Sequence, residues 1–262
     1  MSGRGRESLA EHLSRYYTRY YRDTLGIPEW QRLVARRLQE EELDTERVSR
    51  IQRLIGRRFD GMRVLNVGCG TGGFNVAAEQ AGADTFGIDT NPDAVTICRL
   101  RAIDGGGGRY ARAQAEALPF RDNVFELVYC VSTLEHVADV GLTLREMVRV
   151  LRPGGTLFLY SPSGWALYES HYKLPWLPGC PRPLARLYLR ALGRPTAFVE
   201  TLNKLTKRCC WRLLEAAGAV VEPFPVDIDL GSGRGPKARV ARAYYRVLKV
   251  EPYIALLARK RP

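Results

Sequence analysis

From Arg63 to Tyr160 the sequence predicts a doubly wound α/β sheet, and two observations predict it. Five short β-rich runs, RVLNV, DTFGI, RYARA, FELVYC and TLFLY, alternate with longer stretches of helix-forming residues. A glycine-rich turn follows the first run directly. Strands separated by a helix-length crossover pair in parallel, because a tight hairpin turn has no room for the intervening residues.

The elements follow in chain order. From Ser8 to about Asp23, and again from Pro28 to about Ile55, strand alternation is absent and Arg, Glu, Gln and Leu abound, so residues 1–60 read as a helical amino-terminal extension. Tyr16, Tyr17, Tyr20 and Tyr21 recur with i, i+4 spacing and form adjacent rows on one helix. Those rows either pack on the following domain or close over a ligand as a lid. Residues 61–163 form the sheet's core. After Tyr160 the rhythm breaks: Pro162, Pro175, Pro178, Pro181, Pro183 and Pro195 are interleaved with Trp165, Tyr168, His171, Tyr172, Trp176 and Tyr188. Such a segment, 164–205, makes no buried strand and little helix, and reads as an insertion. Thr206 caps a helix KRCCWRLLEAAG that Gly218 stops, AVVEPF and EPYIALLA read as strands, and between them lie a loop, GSGRGPK, and a helix from about Lys237 to Leu248.

Composition narrows the class. The chain has 262 residues, 45% hydrophobic and 26% charged, with no apolar run near the roughly 20 residues that cross a bilayer. Its amino terminus carries charges where a secretory signal has its apolar stretch, which predicts a cytoplasmic protein. Six cysteines show no CxxC pair and no repeated ligand spacing, so they read as reduced thiols and predict no metal site. The net charge of +12 is uneven: residues 1–60 carry +3, 61–160 carry −2 and 161–262 carry +11. A basic balance points to nucleic acid, to an anionic surface, or to nothing beyond a genome rich in arginine codons. Whatever its meaning, the excess belongs to the last hundred residues.

VLNVGCGTGG, Val64 to Gly73, is the most informative segment. Glycines at 68, 70 and 72 let the backbone bend sharply after the strand and let a ligand approach without a Cβ in the way. Amides at the turn and helix start then face that ligand. Twenty-one residues past Gly68, Asp89 ends the second strand, where a carboxylate accepts the ribose hydroxyls of an adenosine. The plainer alternative makes Asp89 a cap or turn residue before Asn91-Pro92.

With these segments in view, VLNVGCGTG, GIDTNPDA, AQAEALPFRDNVFELVYCVSTLEHV and LREMVRVLRPGGTLFLYSPS resemble, in order and spacing, the class I S-adenosylmethionine-dependent methyltransferases. The likeness spans about residues 60–163 and is strongest to the small-molecule branch that includes the ubiquinone and menaquinone biosynthesis methyltransferases. It implies a Rossmann-like seven-stranded sheet with an antiparallel last strand, which EPYIALLA suits, and a cap inserted after the fifth strand. It implies S-adenosyl-L-methionine as cofactor, with Gly68, Cys69, Gly70 and Gly72 around the methionine part, Asp89 on the ribose and Thr90 beside the adenine. Gln114, Ala115 and Glu116 correspond to the loop at the adenine edge, and Val131 to the residue near the reactive sulfonium. Two positions depart from the family pattern: Asn66 and Gln114 stand where acids are usual, keeping a carbonyl acceptor and removing a charge.

Methyl transfer is an in-line displacement at an activated carbon, so positioning the nucleophile is much of the task. An oxygen nucleophile also needs a base, for which the chain offers three histidines, His12, His136 and His171. His136 follows the fourth strand and either meets the cofactor mouth or packs at the turn. His171 lies in the insertion with Glu169 and Tyr172 as polar neighbours, and either acts on the acceptor or hydrogen-bonds within its loop. Catalytic candidates are therefore His136, His171 and Tyr172. VSTLEHV lacks the Asn/Asp-Pro-Pro-aromatic motif of base-amine methylation and no Pro-Cys nucleophile accompanies it, which puts RNA second as a substrate. The insertion's PWLPGCPRPLARLYLRALGR sets Arg186, Arg190 and Arg194 four apart beside apolar residues, suiting an anionic membrane, an amphiphilic acceptor, or an amphipathic helix packed on the core. The resulting expectation is methylation at oxygen of a small or lipid-linked metabolite. An RNA methyltransferase and a non-catalytic cofactor-binding protein are the alternatives.

Overall fold

The computed structural model describes residues 8–103, 107–225 and 236–262. Helix α1 (Leu9–Thr18) opens on a capping box in which Ser8 accepts from the Glu11 amide and the Glu11 carboxylate accepts from the Ser8 amide. A π-helical turn, Arg19–Thr24, continues it, followed by α2 (Trp30–Arg37) and α3 (Glu40–Ile55). The helical stretch read from Pro28 to Ile55 forms two helices, separated at Leu38 and Gln39. Gly56 ends α3 in the left-handed conformation, φ 66°.

Seven strands form the main sheet: β1 (Arg63–Val67), β2 (Asp84–Asp89), β3 (Arg109–Arg112), β4 (Phe125–Val131), β5 (Leu151–Pro162), β8 (Ala219–Pro223) and β9 (Tyr253–Lys260). Their order is β3-β2-β1-β4-β5-β9-β8, and β9 runs antiparallel to both of its neighbours. The crossovers are α4 (Gly73–Gln80), α5 (Pro92–Arg101) and α6 (Val140–Val150), with α9 (Lys207–Ala216) and α10 (Pro236–Leu248) later in the chain. Strand order reverses between β1 and β4, so a crevice opens at their carboxyl ends, the usual ligand position in such sheets.

Period-two alternation sorts the strand residues onto two cores. Leu65, Val67, Val128, Cys130, Leu157 and Leu159 meet α6 and α9 through Leu144, Met147, Cys210 and Leu214. Val64, Leu127, Tyr129 and Phe158 meet α3 and α4 through Val48, Ile51, Phe74 and Ala77. A third cluster joins the extension to the insertion: Leu13, Tyr17, Tyr21 and Val34 pack with Tyr172, Ala185, Leu189 and Val199.

Within the insertion, β6 (Tyr168–Glu169) and β7 (Leu174–Pro175) pair antiparallel, and α7 (Arg182–Ala191) and α8 (Ala197–Glu200) follow. The proline-rich stretch therefore holds more helix than its composition predicts, because Pro183 falls in the first turn of α7, where its missing N–H costs nothing. Arg194 does not share the face of Arg186 and Arg190. It lies beyond Gly193, which ends the helix at φ 65°, and its guanidinium donates to the Gly26 carbonyl. Thr206 caps α9 by accepting from the Cys209 amide at 3.2 Å. Most of the GSGRGPK stretch lies outside the described residues, and its Pro236 and Lys237 begin α10.

Candidate active site

The glycine turn sits where β1 ends and α4 begins. Gly68, Gly70 and Gly72 all take left-handed φ angles, 73°, 54° and 86°. Their reasons differ. A Cβ on Gly68 would lie 2.1 Å from the Thr133 hydroxyl, whereas one on Gly70 would meet nothing within 4 Å. Gly68 is small because Thr133 packs on it, and the space at Gly70 is open. Asp89 closes the turn: its Oδ2 accepts from the Gly70 amide at 2.9 Å and its Oδ1 from the Asn91 amide at 2.8 Å. The cap of α5 is Asn91, which accepts from the Asp93 amide at 2.9 Å. Each Asp89 oxygen retains a second lone pair, as a ribose hydroxyl requires.

The remaining cofactor candidates fall around this turn at different depths. Asn66 is buried behind it and donates to Asn75 Oδ1 at 2.7 Å. Cys69 is buried with its sulfur 3.9 Å from Cys98 Sγ. The Thr90 carbonyl accepts from Arg112 Nε at 3.1 Å. Gln114 is exposed and Ala115 buried, and Glu116 Oε1 accepts from the Ala138 amide at 2.6 Å, tying that loop to the start of α6. Val131 ends β4, and its carbonyl and that of Val67 accept from Thr133 Oγ1. The extension reaches the same turn: Tyr17 Oη and Thr71 Oγ1 share a buried hydrogen bond of 2.8 Å, and Arg19 pairs with Asp93.

Two residues beyond Thr133, a one-turn helix (Leu134–His136) delivers Glu135 to a cavity shared with the insertion. Glu169, His171, Trp176, Leu202 and Lys204 are among its lining residues. His171 Nδ1 lies 2.7 Å from Glu169 Oε1, whose partner oxygen Oε2 accepts from the Tyr172 amide at 2.5 Å. A carboxylate only accepts, so Nδ1 carries the hydrogen in this contact. Glu135 Oε2 accepts from Ser161 Oγ at 2.8 Å, while Oε1 has no hydrogen-bond partner and lies 3.7 Å from His171 Nε2. Burial pushes the Glu135 carboxyl above its usual range, against lesser opposing effects of a backbone amide, His171 and Ser161, and the Glu169 carboxylate adds the smallest push, upward. His136 stays exposed, yet partial loss of hydration and then the neighbouring His171 push its pKa down to about 4, so it is neutral at pH 7.

Tyr172 stands apart from this group. Its side chain is fully buried and its hydroxyl donates to the Pro195 carbonyl at 2.9 Å, so it holds the insertion together and is not among the residues lining this cavity. Glu135 and Ser161 emerge only from the fold, although Glu135 stands beside the singled-out His136. Glu135, His136 and His171 also bring one ligand-type atom each within 4.8 Å of one another. Cysteine spacing gives no hint of that trio, since it contains no cysteine and joins two residues of the one-turn helix to one from the insertion.

A doubly wound sheet with a glycine turn and a strand-end aspartate at its switch point defines a Rossmann-like protein for an adenosine cofactor. A model described as a methyltransferase domain matches residues 65–159. A ubiquinone biosynthesis O-methyltransferase of Mesorhizobium japonicum is 30% identical over 175 residues, 64% of this chain and 67% of its own length. Another of that name, from a Chelativorans species, is 32% identical over 127 residues, 46% of this chain and 50% of its own, so the chain spans about half of that relative. The crystal structure of an S-adenosylmethionine-dependent methyltransferase from Mesorhizobium loti superposes with a TM-score of 0.56 at 22% identity, covering 80% of this chain and 96% of that one. The chain belongs to the class I S-adenosylmethionine-dependent methyltransferases, and S-adenosyl-L-methionine is its cofactor.

Proposed function

We propose that the protein methylates a hydroxyl oxygen of a small or lipid-linked acceptor held between the glycine turn and the insertion, in the cytoplasm. The observation that carries this is the 2.7 Å contact of His171 with Glu169 at the wall of the cavity, beside the turn that follows β4. The relatives named for ubiquinone O-methylation support oxygen and a lipid-linked acceptor.

Gly68, Cys69, Gly70 and Gly72 hold the methionine part of the cofactor in this reading, Asp89 the ribose, and Thr90, Gln114 and Ala115 the adenine side. Asn66 and Glu116 act from behind, through Asn75 and through the start of α6. When bound, S-adenosylmethionine would supply a methyl group on a positive sulfur, open to in-line displacement by the acceptor's oxygen. His171 receives the acceptor's proton at Nε2, and Glu169 fixes its tautomer and stabilises the imidazolium formed. Neutral His136 packs its ring against His171, the centroids 5.1 Å apart, and shields it. Replacing His171 by Ala is expected to lower turnover at least 100-fold with cofactor affinity changed less than threefold. Incubation with methyl-labelled cofactor and lipid, small-molecule and RNA fractions tests the acceptor class. Label in RNA overturns the preferred class, and no label in any fraction favours a cofactor-binding protein without turnover.

The outer face of α7 supports delivery from a membrane. Leu184 and Leu187 are 53% and 65% exposed beside Arg186 and Arg190, and Leu177 just before the helix is 63% exposed. Apolar residues flanked by arginine suit the headgroup boundary of an anionic bilayer. Among the described residues no helix is long and apolar enough to cross one.

A further inference from the structure

We propose that Lys204 and Arg182 form an anion site in the cavity, and that the acceptor carries a carboxylate or phosphate group which they hold while its hydroxyl meets His171. This deepens the proposed oxygen methylation and rests on it for the place of the hydroxyl. The cavity wall carries charge of both signs, in separate places. Its two carboxylates flank His171, Glu169 at 2.7 Å from Nδ1 and Glu135 at 3.7 Å from Nε2. Its lysine and arginine, Lys204 and Arg182, pair with neither of them.

Lys204 is held in place by its neighbours in the chain. The Asn203 amide donates to the Glu135 carbonyl at 2.7 Å, its side chain donates to the Val137 carbonyl at 2.6 Å, and the Leu205 carbonyl accepts from the Gly164 amide at 2.7 Å. From that fixed stem, Nζ donates to the carbonyls of Gly179 and Cys180, which leaves one ammonium hydrogen over. Backbone carbonyls orient an ammonium without cancelling its charge, and Lys204 makes no ion pair among the described residues. Arg182 begins α7 two residues beyond Cys180, so both cations belong to the same short stretch of wall. Among the described residues the carboxylate within reach of its guanidinium is Glu200, at 4.0 Å, too far for a hydrogen bond, and Glu200 lies nearer to Arg186, at 3.5 Å. Lys204, Arg182 and Arg186 thus face one carboxylate, and positive charge is left over at the cavity.

A guanidinium with its donors unused and an ammonium with one to spare are the groups that recognise carboxylate and phosphate oxygens. A bracing role for Lys204 accounts for its two carbonyls and leaves Arg182 unexplained, because Arg182 braces no described backbone group through its side chain. A bilayer phosphate offers the same chemistry, since α7 continues to the exposed Leu184 and Leu187. The acceptor's own group is favoured because Cys180 and Ala185 line the cavity with Arg182 and are buried, so this side of the helix faces inward. The two ends also orient the acceptor: Glu135 and Glu169 repel an anion from the His171 end, and the cations draw it to the other.

Binding without turnover tests the site. In calorimetric titrations of the protein saturated with S-adenosylhomocysteine, phenyl phosphate is expected to bind about tenfold tighter than phenol or more, and to lose much of that advantage at high salt because Arg182 is half exposed. Arg182→Gln and Lys204→Gln are each expected to cut the preference by about threefold or more, whereas Arg208→Gln, which removes the same charge from the exposed side of α9, leaves it unchanged. Lys204→Gln also releases two carbonyls, so Arg182→Gln decides where that variant melts early. Equal affinity for the two probes overturns the proposal, as does a preference that survives in Arg182→Gln. Failure of phenyl phosphate to bind, with sedimentation on phosphatidylglycerol vesicles that depends on both residues, assigns the pair to a bilayer and overturns it too. Methyl-labelled product from the lipid or small-molecule fraction is expected to be retained by an anion-exchange resin, and label confined to neutral molecules refutes an anionic acceptor. No label in any fraction defeats oxygen methylation and leaves the phenyl phosphate titrations to decide the anion site.

Discussion

Gly68 and Gly70 stand two positions apart, share one backbone conformation and answer to different neighbours. An alanine at 68 drives its Cβ into Thr133 Oγ1 and into the loop that leads to Glu135. Such overpacking, added to left-handed strain, is expected to destabilise the fold by about 2–4 kcal/mol and to weaken the cofactor as well. An alanine at 70 meets no protein atom, so only about 1–2 kcal/mol of conformational strain is expected, with cofactor affinity falling at least tenfold. Thermal melts and calorimetric titration with S-adenosylmethionine separate the two; equal losses of stability would refute the distinction. In the same way Asp89 is a residue whose partners decide its reading: Asn91 caps α5, which leaves Asp89 to bridge the glycine turn.

The extension and the insertion act as elements joined over the sheet's open end. Leu13, Tyr17 and Tyr21 alternate with exposed residues along one helical path, and the buried row packs on the insertion's Tyr172 and Leu189. Tyr17 belongs to both readings of the tyrosine rows, since it is buried in this cluster and its hydroxyl meets Thr71 in the cofactor turn. Tyr17→Phe is expected to cost about 1 kcal/mol and to reduce the protection from proteolysis that cofactor confers on residues 8–24. Protection identical to wild type would exclude a lid function. On α7, Leu184→Glu with Leu187→Glu is expected to abolish sedimentation with vesicles rich in phosphatidylglycerol while leaving melting temperature within a few degrees, because both side chains face outward. Sedimentation at the wild-type level would remove the membrane from the account. The proline-rich stretch shows how composition misleads at this scale: prolines exclude helix interiors, yet at Pro183 they begin one.

For the whole molecule, the basic charge and the acid limit of stability follow from where groups sit. His136 is held neutral in the folded state, its pKa pushed down to about 4 from 6.5. The unfolded chain therefore binds more protons between about pH 6.5 and 4, and stability falls as pH falls through that window. Glu135 has the opposite sign: its raised pKa favours the folded state below its unfolded value and loses that contribution as pH rises through the folded one. Denaturant melts of His136→Asn across pH 4–7 are expected to show a flatter acid limb than wild type, and an unchanged limb would assign the acid loss to other groups.

Period-two alternation, helix-length spacers and the glycine turn with its aspartate already define the sheet, the family and the cofactor, because each depends on residues near one another in the chain. The +11 of the last hundred residues is likewise read from the sequence directly. The partition of roles within the acceptor site is decided by tertiary structure alone. His171 and Tyr172 are adjacent in sequence and equally polar, yet one ring lines the cavity and the other hydroxyl is bonded to Pro195. Glu135 and His171 come from different elements and meet only because the insertion folds back over the turn after β4. Hydrogen bonding and desolvation depend on distances through space, which local sequence patterns do not specify, and those distances determine which side chains face the acceptor.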